Sequence, residues 1–148
     1  MKKFLVFAFV VVVGFFLTGY AFADDKAECI SKCEAATKMM KEDFTGALCE
    51  INKKDGKFVK DKIYVFVMRG GIVVAHPFRP KAIGADLINY KDKEGKEFVK
   101  EYIEIVKGKG SGWVDYKWPK PGEEKISDKT TYVLKVDDKY YVCAGYYK

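Results

Sequence analysis

The chain has a single histidine, His76, and lacks the short motifs that announce common enzyme chemistries. No G-x-S-x-G elbow, no P-loop and no dinucleotide fingerprint occurs, so the usual serine-nucleophile, nucleotide and nicotinamide sites are missing. No C-x-x-C-H occurs either, which excludes covalent haem in its usual form. Past residue 23 there is no second long apolar run, and nothing else is predicted to span a membrane. Charge of one sign is also in short supply. Lys and Arg number 27 against 21 Asp and Glu, a net charge of +6. That balance is too mild and too mixed to argue for nucleic acid, and it describes a solvated lysine-rich surface. There is no internal repeat, low-complexity tract or linker, and the length suits one domain with one core.

What is present begins with the N-terminus. Lys2 and Lys3 precede an apolar run, Phe4 to Leu17, broken only by Gly14, and Ala21-Phe22-Ala23 follows. This three-part pattern predicts a secretory signal peptide over residues 1–23, cut after Ala23 and before Asp24-Asp25. The alternative is an uncleaved N-terminal membrane anchor, since the run is about 20 residues long. No cysteine follows the run, which argues against a lipid-anchored start. The expected location is periplasmic or secreted. Cleavage removes Lys2 and Lys3 and lowers the net charge from +6 to +4.

Residues 24–148 read as one small α+β domain. Cys29, Cys33, Ala36 and Met40 make one apolar stripe at helical spacing and predict a helix over 26–41. A second helix is expected around 43–53, with Phe44, Leu48 and Ile51 on one face, stopped by the turn chemistry of Asn52 to Gly56. Ile63 to Met68 is β-branched and aromatic throughout, as in a strand covered on both faces. Arg69-Gly70-Gly71 turns it into a returning strand, Ile72 to Ala75. The prolines of His76-Pro77-Phe78-Arg79-Pro80 predict a loop leaving the sheet. A helix over 92–107 is expected next, with Phe98, Tyr102, Ile105 and Val106 on its apolar side. Strands over 112–118, 129–136 and 139–147 complete the chain, the last two joined by a hairpin at Asp137-Asp138. The sum is a sheet of about five antiparallel strands, with helices packed mainly on one face.

The four cysteines sit in a chain expected to reach an oxidising compartment, so disulfides are the default. Cys29 with Cys33 is the poorest pairing, because helix neighbours at i, i+4 hold their Cβ atoms about 5–6 Å apart and a disulfide wants about 3.5–4.5 Å. A fold-back of the two N-terminal helices near residue 42 favours Cys33–Cys49, leaving Cys29–Cys143.

The ordered set of local strings is more specific than any one of them. It comprises Tyr64-Val65-Phe66, Ala75-His76-Pro77, Gly84 with Asp86-Leu87, and Asp92 with Gly95. It continues with Gly112-Trp113-Val114-Asp115-Tyr116 running into Trp118-Pro119-Lys120-Pro121-Gly122, then Lys129 with Tyr132, and Ala144-Gly145-Tyr146-Tyr147. This set resembles the single Cache domain (type 2) family over essentially all of residues 24–148. The resemblance implies a PAS-like extracytoplasmic sensor module that is not an enzyme, takes no cofactor, and binds a small organic acid of the acetate, propionate, pyruvate or lactate kind. A free-standing domain of this kind is expected to present its ligand to a membrane receptor as partner, and the N-terminal helix offers a surface for a homodimer. Two features depart from the pattern. Family members usually continue into a membrane helix and signalling domains, whereas this sequence stops at Lys148 and is expected to lack its own signalling module. Cys143 stands in the last strand where a small residue is usual.

A buried carboxylate needs charge-assisted donors and a dry wall. Tyr64, His76, Arg79, Tyr116, Trp118, Lys129 and Tyr132 gather donors beside aromatic surface and form the expected ligand site. Blander readings stand beside this one. His76 caps a turn through its ring, Trp118 packs on Pro119, and Lys129 and Arg79 are solvated charges. Tyr140, Tyr141, Tyr146 and Tyr147 are assigned to the sheet surface and core. Two alternatives to a binding protein are a structural or interaction module with a closed core, and a metal-handling protein using Cys29, Cys33, Cys49 and His76. No common zinc spacing supports the latter.

Overall fold

The computed structural model describes residues 16–148, with side chains from residue 23. The predicted leader lies mostly outside the described residues. From Phe16 the backbone is helical and continuous with the first long helix, α1 (Phe16–Glu42). Among the described residues no helix is long and apolar enough to cross a membrane.

The stripe Cys29, Cys33, Ala36 and Met40 is the buried face of α1, as its spacing requires. Asp43 ends α1 and caps α2 (Phe44–Ile51), its carboxylate accepting from the Gly46 N–H at 2.9 Å. Six antiparallel strands follow: β1 (Val59–Lys60), β2 (Ile63–Arg69), β3 (Ile72–Ala75), β4 (Ser111–Pro119), β5 (Ile126–Lys135) and β6 (Tyr140–Tyr147). Their order is β1-β2-β6-β5-β4, with β3 also pairing with β2. The strand beyond the expected five is the two-residue β1. Helix α3 (Phe98–Lys107) lies between β3 and β4.

Period-two alternation divides β2 and β6 between two separate cores. Ile63, Val65 and Val67 with Val142, Ala144 and Tyr146 face α1 and α2. Tyr64, Phe66 and Met68 with Tyr141 and Cys143 face α3 and the long loop before it. The helices therefore cover both faces of the sheet, which corrects the one-sided packing expected. Phe98, Val99 and Tyr102 need a second apolar surface, and the far side of the sheet supplies it.

Helix α3 also starts later than predicted. The Asp92 carboxylate accepts from the backbone N–H groups of Glu94 and Lys96 at 2.9 Å each, so residues 92–97 fold as a loop around it. The turn after β5 is longer than two residues, because Asp137 accepts from Lys139 and Tyr140 N–H and opens the hairpin.

Neither predicted disulfide forms, and all four cysteines are free. Cys29 and Cys33 are buried under α1, whereas Cys143 points to the opposite face of the sheet. Cys49 is exposed, because α2 turns Ala47 and Ile51 inward instead. Cys29, Cys33, Cys49 and His76 thus do not converge, and no three His, Cys, Asp or Glu side chains among the described residues are placed to hold a metal.

Candidate functional site

Adjacent strands place one row of residues at the centre of the α3 side. Tyr147, Lys129 and Tyr116 are register partners across β6, β5 and β4, and the next row reads Tyr64, Gly145, Thr131 and Val114. Lys129 crosses from the first row to the second. Its ammonium donates to the Tyr64 hydroxyl at 2.9 Å and lies 4.3 Å from the Tyr64 ring centre. The rings of Tyr147, Phe66 and Tyr116 stand at 5.2, 5.4 and 6.0 Å. Gly145 makes this crossing feasible. A Cβ there would fall 2.8 Å from Lys129 Cε and 2.4 Å from Thr131 Oγ1, both closer than atoms can sit.

Lys129 is 1% exposed, and among the described residues no carboxylate pairs with it. Burial works against its charge, while the phenols of Tyr116, Tyr64 and Tyr147 favour it. The balance holds it above the ordinary lysine range, and it is a cation at neutral pH. A buried ammonium with one neutral hydrogen-bond partner and several ring faces has donors to spare.

Beside it lies a cavity of about 30 Å³. Tyr64, Phe66 and Met68 of β2 form one wall, with Tyr116, Trp118 and Lys129 from β4 and β5. Phe98, Val99 and Tyr102 of α3 form the opposite wall, and Val73, His76 and Leu87 close the remainder. Phe98 stacks flat on Tyr116, with centroids 4.1 Å apart. The Tyr116 hydroxyl is hydrogen-bonded to Thr131 Oγ1 at 3.0 Å.

His76 combines two of the roles considered for it. Its Nδ1 accepts from the N–H groups of Phe78 and Arg79, at 3.2 and 3.1 Å, so the ring caps the turn. With Nδ1 accepting, the proton resides on Nε2, and the ring still lines the cavity. Burial, together with nearby Lys129 and Arg79, pushes its pKa down to about 3, so the imidazole is neutral.

Of the seven expected site residues, five line the cavity: Tyr64, His76, Tyr116, Trp118 and Lys129. Arg79 does not. It is exposed, and its guanidinium lies 4.7 Å over the Trp118 ring. Tyr132 is on the opposite face of the sheet, packed against Trp113, because it stands three residues from Lys129 on one strand. Sequence reasoning missed Tyr102, whose buried hydroxyl lies beside those of Tyr116 and Thr131, and Tyr147, whose ring flanks the Lys129 ammonium. The helical stripe marked Tyr102 as buried but could not show that its buried side meets a cavity.

A mixed helix-and-sheet domain with an aromatic cavity beneath a long loop has the build of a PAS-like sensor. The chain belongs to the single Cache domain 2 family, whose model matches residues 25–147. It is 33% identical over 64 residues to the methyl-accepting chemotaxis protein McpP of Pseudomonas putida, covering 43% of this chain and 12% of that protein. It is 32% identical over 89 residues to the sensor histidine kinase MctS of Rhizobium johnstonii, covering 60% of this chain and 18% of the relative. The chain thus spans less than a fifth of the length of either relative.

Solved structures agree on the fold. A Cache chemosensory domain described for its carboxylic acid recognition superposes with a TM-score of 0.74 at 24% identity, covering 87% of this chain and 97% of that one. The periplasmic sensor domain of a chemotaxis protein superposes at 0.65 with 26% identity, covering 90% and 99%. A methyl-accepting chemotaxis protein from Vibrio parahaemolyticus superposes at 0.71 with 18% identity, covering 87% and 92%.

Proposed function

We propose that this chain is an extracytoplasmic domain that binds a short-chain carboxylate without transforming it. Its ligand is of the acetate, propionate, pyruvate or lactate kind, delivered to a chemosensory partner or assembly. The leader over residues 1–23, cut after Ala23, belongs to the same reading. One observation carries it: Lys129 is a buried cation with no anionic partner among the described residues, facing a cavity. Its one hydrogen-bond partner is a neutral hydroxyl, so it has donors to spare, and a ligand carboxylate supplies an anionic acceptor for them. The His76 Nε2–H offers a second donor to the same anion. The cavity's 30 Å³ is room for about two water molecules, so even the smallest of these acids enters only if the surrounding side chains yield. A related Cache domain is described for carboxylic acid recognition, which supports the choice of anion.

The test is a thermal-shift panel of C2–C4 carboxylates on the protein and on Lys129→Met. A ligand at a hundredfold excess over Kd stabilises the folded state by about 2.7 kcal/mol, a midpoint shift of several degrees. In Lys129→Met the shift should vanish, because the ammonium that would pair with the carboxylate is gone. A flat response of the unaltered protein to every acid would overturn the reading. It would favour a closed structural module, for which the small cavity is the supporting observation.

A further inference from the structure

Lys129 brings a full charge to a cavity that has little room. Its ammonium is almost wholly buried and donates to one neutral group, the Tyr64 hydroxyl at 2.9 Å. The carboxylates nearest in sequence and register cannot reach it. Asp128 precedes Lys129, and Asp115 precedes its register partner Tyr116, so alternation turns both to the other face of the sheet. There Asp128 pairs with Lys117, and Asp115 with Lys148. His76 adds a second donor, because its Nδ1 is engaged by Phe78 and Arg79 and the Nε2–H is left over. Its ring stands 5.0 Å from that of Tyr64, and the ammonium lies 4.3 Å from the same ring centre. Both donors therefore meet at one tyrosine. The side chains of Phe66, Met68, Val73, Leu87, Phe98 and Val99 fill out the wall and offer no hydrogen bond.

Size then separates the anions that could pair with this charge. An organic acid must displace side chains, since the cavity's 30 Å³ holds only about two water molecules. A chloride or bromide ion is a single atom, little larger than water, and enters without that displacement. In a site this dry the attraction between opposite charges is strong. The ion must give up its own water for one ammonium, one imidazole N–H and apolar walls, and that loss is costly. Fluoride holds its water too tightly for the exchange, whereas chloride and bromide release theirs more readily. From this we infer that the Lys129 cavity is a halide site, taking chloride or bromide as the counterion of the buried ammonium. An organic acid that binds the same ammonium must displace the halide. The inference shares Lys129 with the carboxylate reading above but stands without it.

The experiment holds ionic strength fixed and exchanges chloride against methanesulfonate, an anion too large for the cavity. The chloride NMR line should broaden in the presence of the protein. The thermal midpoint should rise by several degrees once chloride stands at a hundredfold excess over its Kd. Bromide should act as chloride does, and fluoride should not. Both effects should be lost in Lys129→Met. Effects that persist there would put the ion on the lysine-rich surface and overturn the inference, as would their absence from the unaltered protein. Crystals of the unaltered protein grown in bromide give a readout independent of how the variant folds. An anomalous peak beside Lys129 Nζ supports the inference, and a cavity without one overturns it. Acetate separates the two readings. Its apparent Kd should rise in proportion to chloride above chloride's own Kd, and acetate binding indifferent to chloride would overturn the halide site alone. Failure of every acid to bind in chloride-free buffer would overturn the carboxylate reading alone.

Discussion

At the scale of single residues, His76 offers a clean handle, because it is the only histidine and so the only side chain with an ordinary pKa between the carboxylates and the thiols. In the folded protein its pKa is pushed down to about 3, first by burial and then by Lys129 and Arg79. The unfolded chain regains the ordinary value near 6.5 and binds the proton that the folded chain refuses. Stability from this group is therefore complete above the unfolded value and declines as pH falls below it, continuing to decline until the folded pKa is reached. Between pH 7 and pH 5 the loss should be about 2 kcal/mol, read from urea melts at the two values. In His76→Gln the difference between those melts should largely disappear. A protein equally stable at pH 5 and 7 would show that the imidazole takes up its proton as readily in the fold as in the unfolded chain, and that Nδ1 does not hold Phe78 and Arg79.

At the scale of elements, the loop from His76 to Glu97 is the cover of the cavity, and Asp92 is its fastening. One carboxylate oxygen of Asp92 holds Glu94 and Lys96, and the other accepts from Lys117 N–H at 2.9 Å, between the cavity rings Tyr116 and Trp118. Burial disfavours this charge, but the three backbone donors outweigh it and keep the carboxyl below its usual range. In Asp92→Ala the amides of Glu94, Lys96 and Lys117 should exchange with solvent about ten- to a hundredfold faster, as expected for losing hydrogen bonds to a charged acceptor. Unchanged exchange would mean that packing alone holds the loop.

Element patterns also explain what the sequence disclosed and what it hid. The stripe on α1 and the double coverage of β2 were legible because each depends only on local spacing. Lys129 and Tyr132 could have been separated in advance, since residues three apart on a strand cannot share a face. That β5 turns Lys129 and not Tyr132 to the cavity depends on pairing with β4 and β6, which spacing alone does not fix. The late start of α3 came from a carboxylate competing for backbone donors, a signal present in Asp92 but indistinguishable by pattern from a helix cap. Tyr102 marks the limit of periodicity, which tells that a side chain is buried and not whether a void lies beside it.

At the scale of the whole molecule, one sheet separates two cores, and the cysteines are distributed between them. Cys29 and Cys33 lie under α1, Cys143 lies on the cavity side, and Cys49 is at the surface. Burial pushes the Cys29 thiol up to about 12 and those of Cys33 and Cys143 well above their ordinary value. Thiolate, the reactive form, is therefore suppressed at all three. A thiol reagent at neutral pH should modify one cysteine in the native protein, Cys49, and all four in denaturant without reductant. Two or fewer reactive thiols in denaturant would show that a disulfide forms after all.

Strand β6 is the partition between those cores, and residues Tyr141 to Tyr146 have neither face in water. Each of them must suit two neighbours at once: Val142 and Ala144 fit under α1, Cys143 fits behind Phe66 and Val133, and Gly145 must stay bare for Lys129 to pass. A lineage carrying this domain can rewrite its lysine-rich exterior at little risk. In β6 a change that suits one side offends the other, so divergence there requires matched changes on both. The middle of this strand should be the slowest part of the domain to drift.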